Sequence, residues 1–198
     1  MITVEPIFPT AMHWQDADNF DKDSLVDYVY SQREEDPEGL MKSNVGGWQS
    51  QGNYHRFENP LQIFLKDFLT VIVNSGIYKS DTSITVTQMW ININNKGDYN
   101  TFHSHAMCDI SGTFWIKVPE NSGKLRFLAP NEFEQANMIQ LFDSKFREEF
   151  NFHNAYTIDP VEGRLFMWPS HLYHEVGINK SDEDRISVAF NLALDGSN

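Results

Sequence analysis

A mainly β fold, a jelly roll with two helices packed outside it, is what this chain of 198 residues predicts. Three observations carry that reading. Two early stretches, 23–35 and 59–76, space their apolar residues at helical intervals. From Ser83 the period switches to the alternation of strands, in a run rich in β-branched residues. After that point about eight short strand-like runs follow one another, separated by turn residues, which is the pattern of an all-β sandwich or barrel.

Taken in order, residues 2–8 predict a short edge strand, because Pro6 cannot donate a ladder hydrogen bond. In the first helix Leu25, Val26, Val29 and Tyr30 share a face behind an acidic or hydroxyl cap. Residues 37–55 have the glycines of a loop, and Trp48 beside Gly46 and Gly47 reads as an aromatic anchor packed on the core. In the second helix Asn59 caps, Pro60 suits the first turn, and Leu61, Phe64, Leu65, Phe68, Leu69 and Ile72 form the apolar stripe. Gly76 ends it. Strands are predicted at 84–94, around His103, and at 110–118, 124–128, 155–159, 164–168, 172–178 and 185–194. Residues 131–150 predict a helix or an irregular insertion. With no repeat, low-complexity tract or linker, 1–198 reads as a single domain.

Composition narrows the function. Hydrophobic residues make up 40% of the chain and aromatic residues 14%, enough for a sizeable core. The formal net charge is -13 and the pI about 4.8. Such an acidic surface disfavours nucleic acid and anionic membrane, while leaving room for a local cationic pocket. One cysteine, Cys108, excludes an internal disulfide and points to a reducing compartment. The first residues lack the basic and apolar regions of a signal peptide, and no apolar run approaches the roughly 20 residues that span a bilayer. A cytoplasmic protein is expected.

The chemistry gathers around Tyr99-Asn-Thr-Phe-His103-Ser-His105. Side chains at i and i+2 of an extended chain share a face, so His103 and His105 can converge on one point. Neutral imidazole is the commonest protein ligand for first-row metals. A pair alone makes a weak site, and His174, after Phe166-Met-Trp-Pro-Ser170, supplies a distant third candidate. Eleven positions later Arg185 and Ser187 again stand two apart on a predicted strand. An inward arginine in a β core is costly unless it meets an anion, and a carboxylate is the natural partner for its fork.

Together these segments resemble the iron(II)- and 2-oxoglutarate-dependent oxygenases, and more narrowly a group found in marine bacteria and phages. The resemblance runs through Gly46-Gly-Trp-Gln-Ser50, Trp90-Ile-Asn-Ile-Asn94, Gly97 to His105, Ser111-Gly112, Gly163 to Ser170, His174-Glu-Val176 and Arg185-Ile-Ser187. It implies a double-stranded β-helix, the cupin-like form of the jelly roll. It also implies Fe(II) with 2-oxoglutarate as cosubstrate, and an activity that hydroxylates a small-molecule or peptidyl substrate with O2, releasing succinate and CO2. By position His103 would be the first iron ligand and His174 the last. Arg185, helped by Ser187, would hold the distal carboxylate of 2-oxoglutarate, with Trp115 as an aromatic wall. If the chain is phage-encoded, the compartment is the host cytoplasm. The departure is at the second ligand, where most of the superfamily has aspartate. Here His105 is the expected ligand, because its two-residue spacing from His103 suits a strand, with a carboxylate such as Asp109, which would require a bend, as the alternative.

Two other functions are compatible with the same residues. One is a cupin-like three-histidine iron dioxygenase that does not use 2-oxoglutarate, although it would not need the Arg185-Ile-Ser187 clamp. The other is a non-catalytic jelly-roll binding module. Substrate specificity is expected in 37–58 and 131–152. His171 reads as a rim residue, His153 as solvated, and His13 and His55 as structural or exposed. Trp90, Trp115 and Trp168 read as core residues, of which one or two could line a pocket. Cys108 reads as a packed bystander.

Overall fold

The computed structural model describes residues 10–17, 19–130 and 138–196. Its described residues form eleven strands in two antiparallel sheets, with helices against one of them. The chain runs β1 (His13–Asp16), α1 (Lys22–Glu35), β2 (Asn44–Val45), β3 (Trp48–Gln49), α2 (Pro60–Asn74), β4 (Ser83–Asn94), β5 (Tyr99–His103), β6 (Ile110–Lys117), β7 (Leu125–Leu128), α3 (Ser144–Phe150), β8 (Ala155–Ile158), β9 (Arg164–Pro169), β10 (His174–Val176) and β11 (Arg185–Asp195). The larger sheet has the order β1-β9-β6-β11-β4-β3 and the smaller one β2-β5-β10-β7-β8. This is the jelly roll that the sequence predicts.

Local chemistry explains the helices. Asp21 caps α1 by accepting from the Ser24 backbone N–H at 3.1 Å. Asn59 caps α2 in the same way, accepting from Gln62 at 3.0 Å. Its amide nitrogen also donates to the carbonyls of Tyr54 and Phe57, tying the helix to the preceding loop. Gly76, at φ 75°, follows the last turn in a left-handed conformation that a side chain would resist.

Alternation along β4 and β11 then decides where the core and the site lie. Met89, Ile91 and Ile93 face outward from the larger sheet with Ile186, Val188, Phe190 and Leu192. They pack against Leu25 and Val29 of α1 and Leu61, Leu65, Phe68 and Ile72 of α2. A second cluster, containing Trp115, Leu125, Phe127, Phe166, Trp168 and Leu172, fills the space between the sheets. The opposite parity of β4 and β11 carries Trp90, Asn92, Asn94, Arg185, Ser187 and Ala189 into a cavity. One sheet thus buries an apolar face under helices and turns a polar face inward.

The early chain differs from the sequence reading. The edge strand predicted at 2–8 lies outside the described residues. An edge strand does exist at His13–Asp16, paired with β9 and tied by the Arg164–Asp16 ion pair. The loop 37–55 contains β2 and β3, each of two residues, too short for any periodicity to show. Trp48 is the anchor expected: it is buried, and its Nε1–H donates to the Asp36 carbonyl at 2.7 Å. Within 131–150 the described part holds α3 and a 3-10 turn at Met138–Leu141.

Candidate metal centre

His103, His105 and His174 meet at one end of the cavity between the sheets. One ring nitrogen of each lies within 4.8 Å of the others. Ring centroids are 4.3 Å apart for His103 and His174, and 5.1 Å for each of them with His105. The first two are brought together by sheet register: His174 of β10 pairs directly with His103, the last residue of β5. His105 arrives differently. The strand stops at His103, so alternation within one strand does not place the second imidazole. Residues 104–109 instead form a loop laced to the end of β9. The His105 N–H donates to the Ser170 carbonyl and the Ser170 N–H to the Asp109 carbonyl, both at 3.0 Å. The Ser170 hydroxyl adds a bond to the Cys108 carbonyl.

In all three rings Nδ1 is occupied. It lies 2.7 Å from the Thr101 carbonyl in His103 and 2.9 Å from the Leu172 carbonyl in His174. In His105 it lies 2.7 Å from both Asn191 Oδ1 and Ser111 Oγ. A carbonyl can only accept, so Nδ1 of His103 and His174 carries the proton and Nε2 keeps its lone pair. Burial favours the neutral ring at each position. It lowers the pKa of His103 and His105, the latter further through His103 and Lys42, against the opposing hydrogen bond to Asn191. Burial, with His103 next in effect, pushes His174 down to about 3. The donor set is therefore three neutral imidazoles, two of them with a free Nε2 lone pair, which fits a first-row divalent ion.

This has a consequence for acid stability. Unfolded His174 takes up its proton near the ordinary histidine value of 6.5, whereas the folded residue does so only at about 3. Stability of the metal-free protein should be full above pH 6.5 and drain away as the pH falls from 6.5 towards 3, by about 4 kcal/mol from this residue. Urea unfolding across that range checks it. In a His174→Phe variant the decline should be shallower.

The other end of the cavity is set by Arg185, which is only 2% exposed. Its guanidinium donates to the Ser122 carbonyl at 2.7 Å and to Asn94 Oδ1 at 2.9 Å. Among the described residues it has no ion-pair partner, and none of the residues lining the cavity is acidic. Burial draws its pKa down to about 10, against the opposing charge of Asp98, and it is still a cation at neutral pH. Ser187 and Trp115, opposite each other in the β11–β6 ladder, both line the space in front of it. A buried fork with free donors and no anion of its own suits a carboxylate supplied from outside.

Asp109 is not part of this arrangement. Its carboxylate accepts from the Leu194 backbone N–H at 2.8 Å, and it is absent from the cluster of possible ligands. His171 is exposed, whereas His153, His13 and His55 are half-buried and lie outside the cluster. Trp90, Trp115 and Trp168 all line the cavity, one more than the pocket reading expected. Cys108 is half-buried, with its thiol near the His105 carbonyl. What sequence reasoning missed is the support behind His105, formed by Gln88, Ser111 and Asn191. The available signal was a set of polar residues at alternate positions in otherwise apolar strands.

Solved structures share this architecture. The chain aligns with a Pseudomonas putida prolyl-4-hydroxylase at 16% identity and a TM-score of 0.56, covering 92% of each chain. A Trichoplax adhaerens prolyl hydroxylase, solved with a hypoxia inducible factor oxygen degradation domain peptide fragment, aligns at 14% identity. Its TM-score is 0.61, with 92% of this chain and 83% of that one covered. The alpha ketoglutarate dependent carbocyclase SnoK of nogalamycin biosynthesis aligns at 10% identity and a TM-score of 0.65, covering 92% and 79%. At such identities the likeness defines the fold, a double-stranded β-helix. Curated protein sequences give no match. The family comes from a sequence model described as "Putative 2OG-Fe(II) oxygenase", which matches residues 88–191, more than half of the chain. The chain belongs to the 2OG-Fe(II) oxygenase family, whose cofactors are Fe(II) and 2-oxoglutarate and whose oxidant is O2. No described helix is long and apolar enough to cross a membrane.

Proposed function

We propose that the chain, as one domain over 1–198, is a cytoplasmic hydroxylase that inserts oxygen into a C–H bond of a peptidyl or small-molecule substrate. The observation that carries this reading is the pairing of two features in one cavity: three convergent neutral imidazoles and a buried arginine without an anion. His103, His105 and His174 would hold Fe(II). Arg185 and Ser187 would grip the distal carboxylate of 2-oxoglutarate, with Trp115 as a wall beside it. When bound, iron and 2-oxoglutarate supply the oxidising power, one atom of O2 going to succinate as CO2 is lost and the other to the product.

The side chains supply holding and exclusion. Carbonyls behind His103 and His174 keep two rings aimed at one point. The Ser122 and Asn94 bonds fix the plane of Arg185, so that its remaining N–H groups present a fork to an incoming carboxylate. The aromatic walls Trp115 and Trp168 keep the cavity poor in water. The neighbours support both substrate classes: two are named as prolyl hydroxylases, one of them solved with a peptide, and SnoK is named as a biosynthetic carbocyclase.

The test is anaerobic addition of Fe(II) and then 2-oxoglutarate to the protein, watched for the weak visible charge-transfer band of the chelate. A band that appears only with both supports the reading. Iron binding without any response to 2-oxoglutarate would move the assignment to a three-histidine dioxygenase that needs no cosubstrate. Absence of iron binding would leave a non-catalytic jelly roll.

A further inference from the structure

We infer that Asn191, oriented by Gln88 and Ser111, is the positioning residue that makes His105 a metal ligand, by fixing its imidazole as the tautomer with the proton on Nδ1. The inference rests on the metal reading above.

His103 and His174 need no such device. Their Nδ1 atoms face main-chain carbonyls, which accept whatever side chains surround them. Nδ1 of His105 faces only side chains, each able in principle to donate or to accept. An asparagine amide presents either an oxygen or an NH2 group, and a serine hydroxyl plays either part. If the amide turned its NH2 group to the ring, Nδ1 would have to accept, the proton would move to Nε2, and the lone pair needed for a metal would be gone.

The amide of Asn191 is placed the other way round. Its amide nitrogen donates to Gln88 Oε1 at 3.0 Å, which turns Oδ1 towards His105 at 2.7 Å. The Ser111 hydroxyl donates to the same Oδ1 at 2.9 Å, so its own oxygen faces the ring as an acceptor at 2.7 Å. Both partners of Nδ1 then accept, and the ring must carry its proton there. The three residues form one rung across adjacent strands, Asn191 of β11 pairing with Gln88 of β4 on one side and Ser111 of β6 on the other. The ladder shifts register at Asn191/Leu192, where Thr87 is the extra residue on β4, and Thr87 Oγ1 donates to the Asn191 carbonyl, fixing the backbone from which the amide projects. The clasp matters more here than behind the other two rings, because His105 sits beyond the end of β5 and no β-ladder holds it.

Ring nitrogen–proton correlation spectra of the metal-free, 15N-labelled protein read the tautomer directly. Wild type should show His105 with the proton on Nδ1. Asn191→Leu should lose that form while His103 and His174 keep theirs, and Fe(II) affinity should fall about 10- to 100-fold, the usual cost of losing a partner behind a ligand. Asn191→Asp, which keeps an acceptor in the same shape, should restore both. Gln88 is exposed, so Gln88→Leu tests the same orientation without disturbing the core and should move both readouts in the direction of Asn191→Leu. Retention of the Nδ1–H form in both leucine variants would overturn the inference, as would equal loss of affinity in Asn191→Leu and Asn191→Asp. A wild type with the Nδ1–H form that bound no Fe(II) would support the clasp and sink the metal reading, so the two failures are distinguishable.

Discussion

Replacing His174 with alanine should abolish Fe(II) binding, lowering affinity by at least ~1,000-fold, since loss of a ligand must exceed the 10- to 100-fold cost of losing a residue that only supports one. His174 is the best-determined of the three imidazoles. It is 3% exposed, lies across from His103 in the ladder, and packs edge-on against Trp168 at 4.9 Å. Its removal leaves two rings, one on a strand end and one on a loop, which cannot close a chelate around a metal with comparable strength. The variant should still fold, because the surrounding cluster of Trp115, Leu125, Phe127, Phe166, Trp168 and Leu172 is continuous without it. It should be destabilised in metal-free form by about 2–4 kcal/mol, as buried large-to-small changes are. Anaerobic titration with Fe(II), with Co(II) absorption as an independent probe of coordination, measures the effect. The comparison that decides the second ligand runs in parallel. His105→Ala should lose affinity almost as severely, and Asp109→Ala should stay within about 3-fold of wild type, because the Asp109 carboxylate is engaged with the Leu194 N–H. Retention in His105→Ala with loss in Asp109→Ala would overturn the three-histidine assignment.

The contrast between His105 and the other two rings also marks what could be read from the chain. His103, His174, Arg185 and Ser187 each stand at a strand position whose parity the sequence displays, and the sheets deliver them to one cavity. The eight strands from residue 83 onward were legible for the same reason: each is long enough to show alternation, or is bounded by turn residues. Three kinds of feature escaped. Strands of two residues, β2 and β3, carry no period. His105 looked like a strand residue because nothing local announces that β5 stops at His103; what stops it is the lacing of 104–109 to Ser170, a contact across 65 positions. The Gln88–Asn191–Ser111 rung was also out of reach, since its members lie up to 103 positions apart and only ladder register brings them together. Yet the polar residues themselves were visible, as Gln88-x-Trp90-x-Asn92-x-Asn94 and Arg185-x-Ser187-x-Ala189-x-Asn191. Alternation assigns these side chains to one face of the sheet but does not say whether that face meets water; the second sheet closing over it makes it the wall of a cavity.

Arg185→Gln should leave Fe(II) binding intact and weaken 2-oxoglutarate by roughly 30-fold to more than 1,000-fold, the equivalent of about 2–5 kcal/mol for truncating one member of a buried, hydrogen-bonded charge pair. The size of the effect follows from where the guanidinium sits. It is almost fully buried, it has two of its donors committed to Ser122 and Asn94, and no described carboxylate forms an ion pair with it. Holding a cation there without an ion-pair partner costs stability that an incoming carboxylate would return. The same substitution should therefore have opposite consequences for the two states of the protein. Without ligand, glutamine can still donate one bond to Ser122 or Asn94 and removes the buried charge, so the variant should be as stable as wild type or more so. With saturating 2-oxoglutarate and a redox-inert divalent metal such as Mn(II), wild type should gain thermal stability, about 2.7 kcal/mol at a hundredfold excess over the dissociation constant, and the variant almost none. Arg185→Lys keeps the charge but not the planar fork and should fall between the two. Equal stabilisation of wild type and Arg185→Gln by 2-oxoglutarate would place the cosubstrate carboxylate elsewhere in the cavity. Equal indifference of both to 2-oxoglutarate, with metal still bound, would remove it from the site and leave the three imidazoles to work without it.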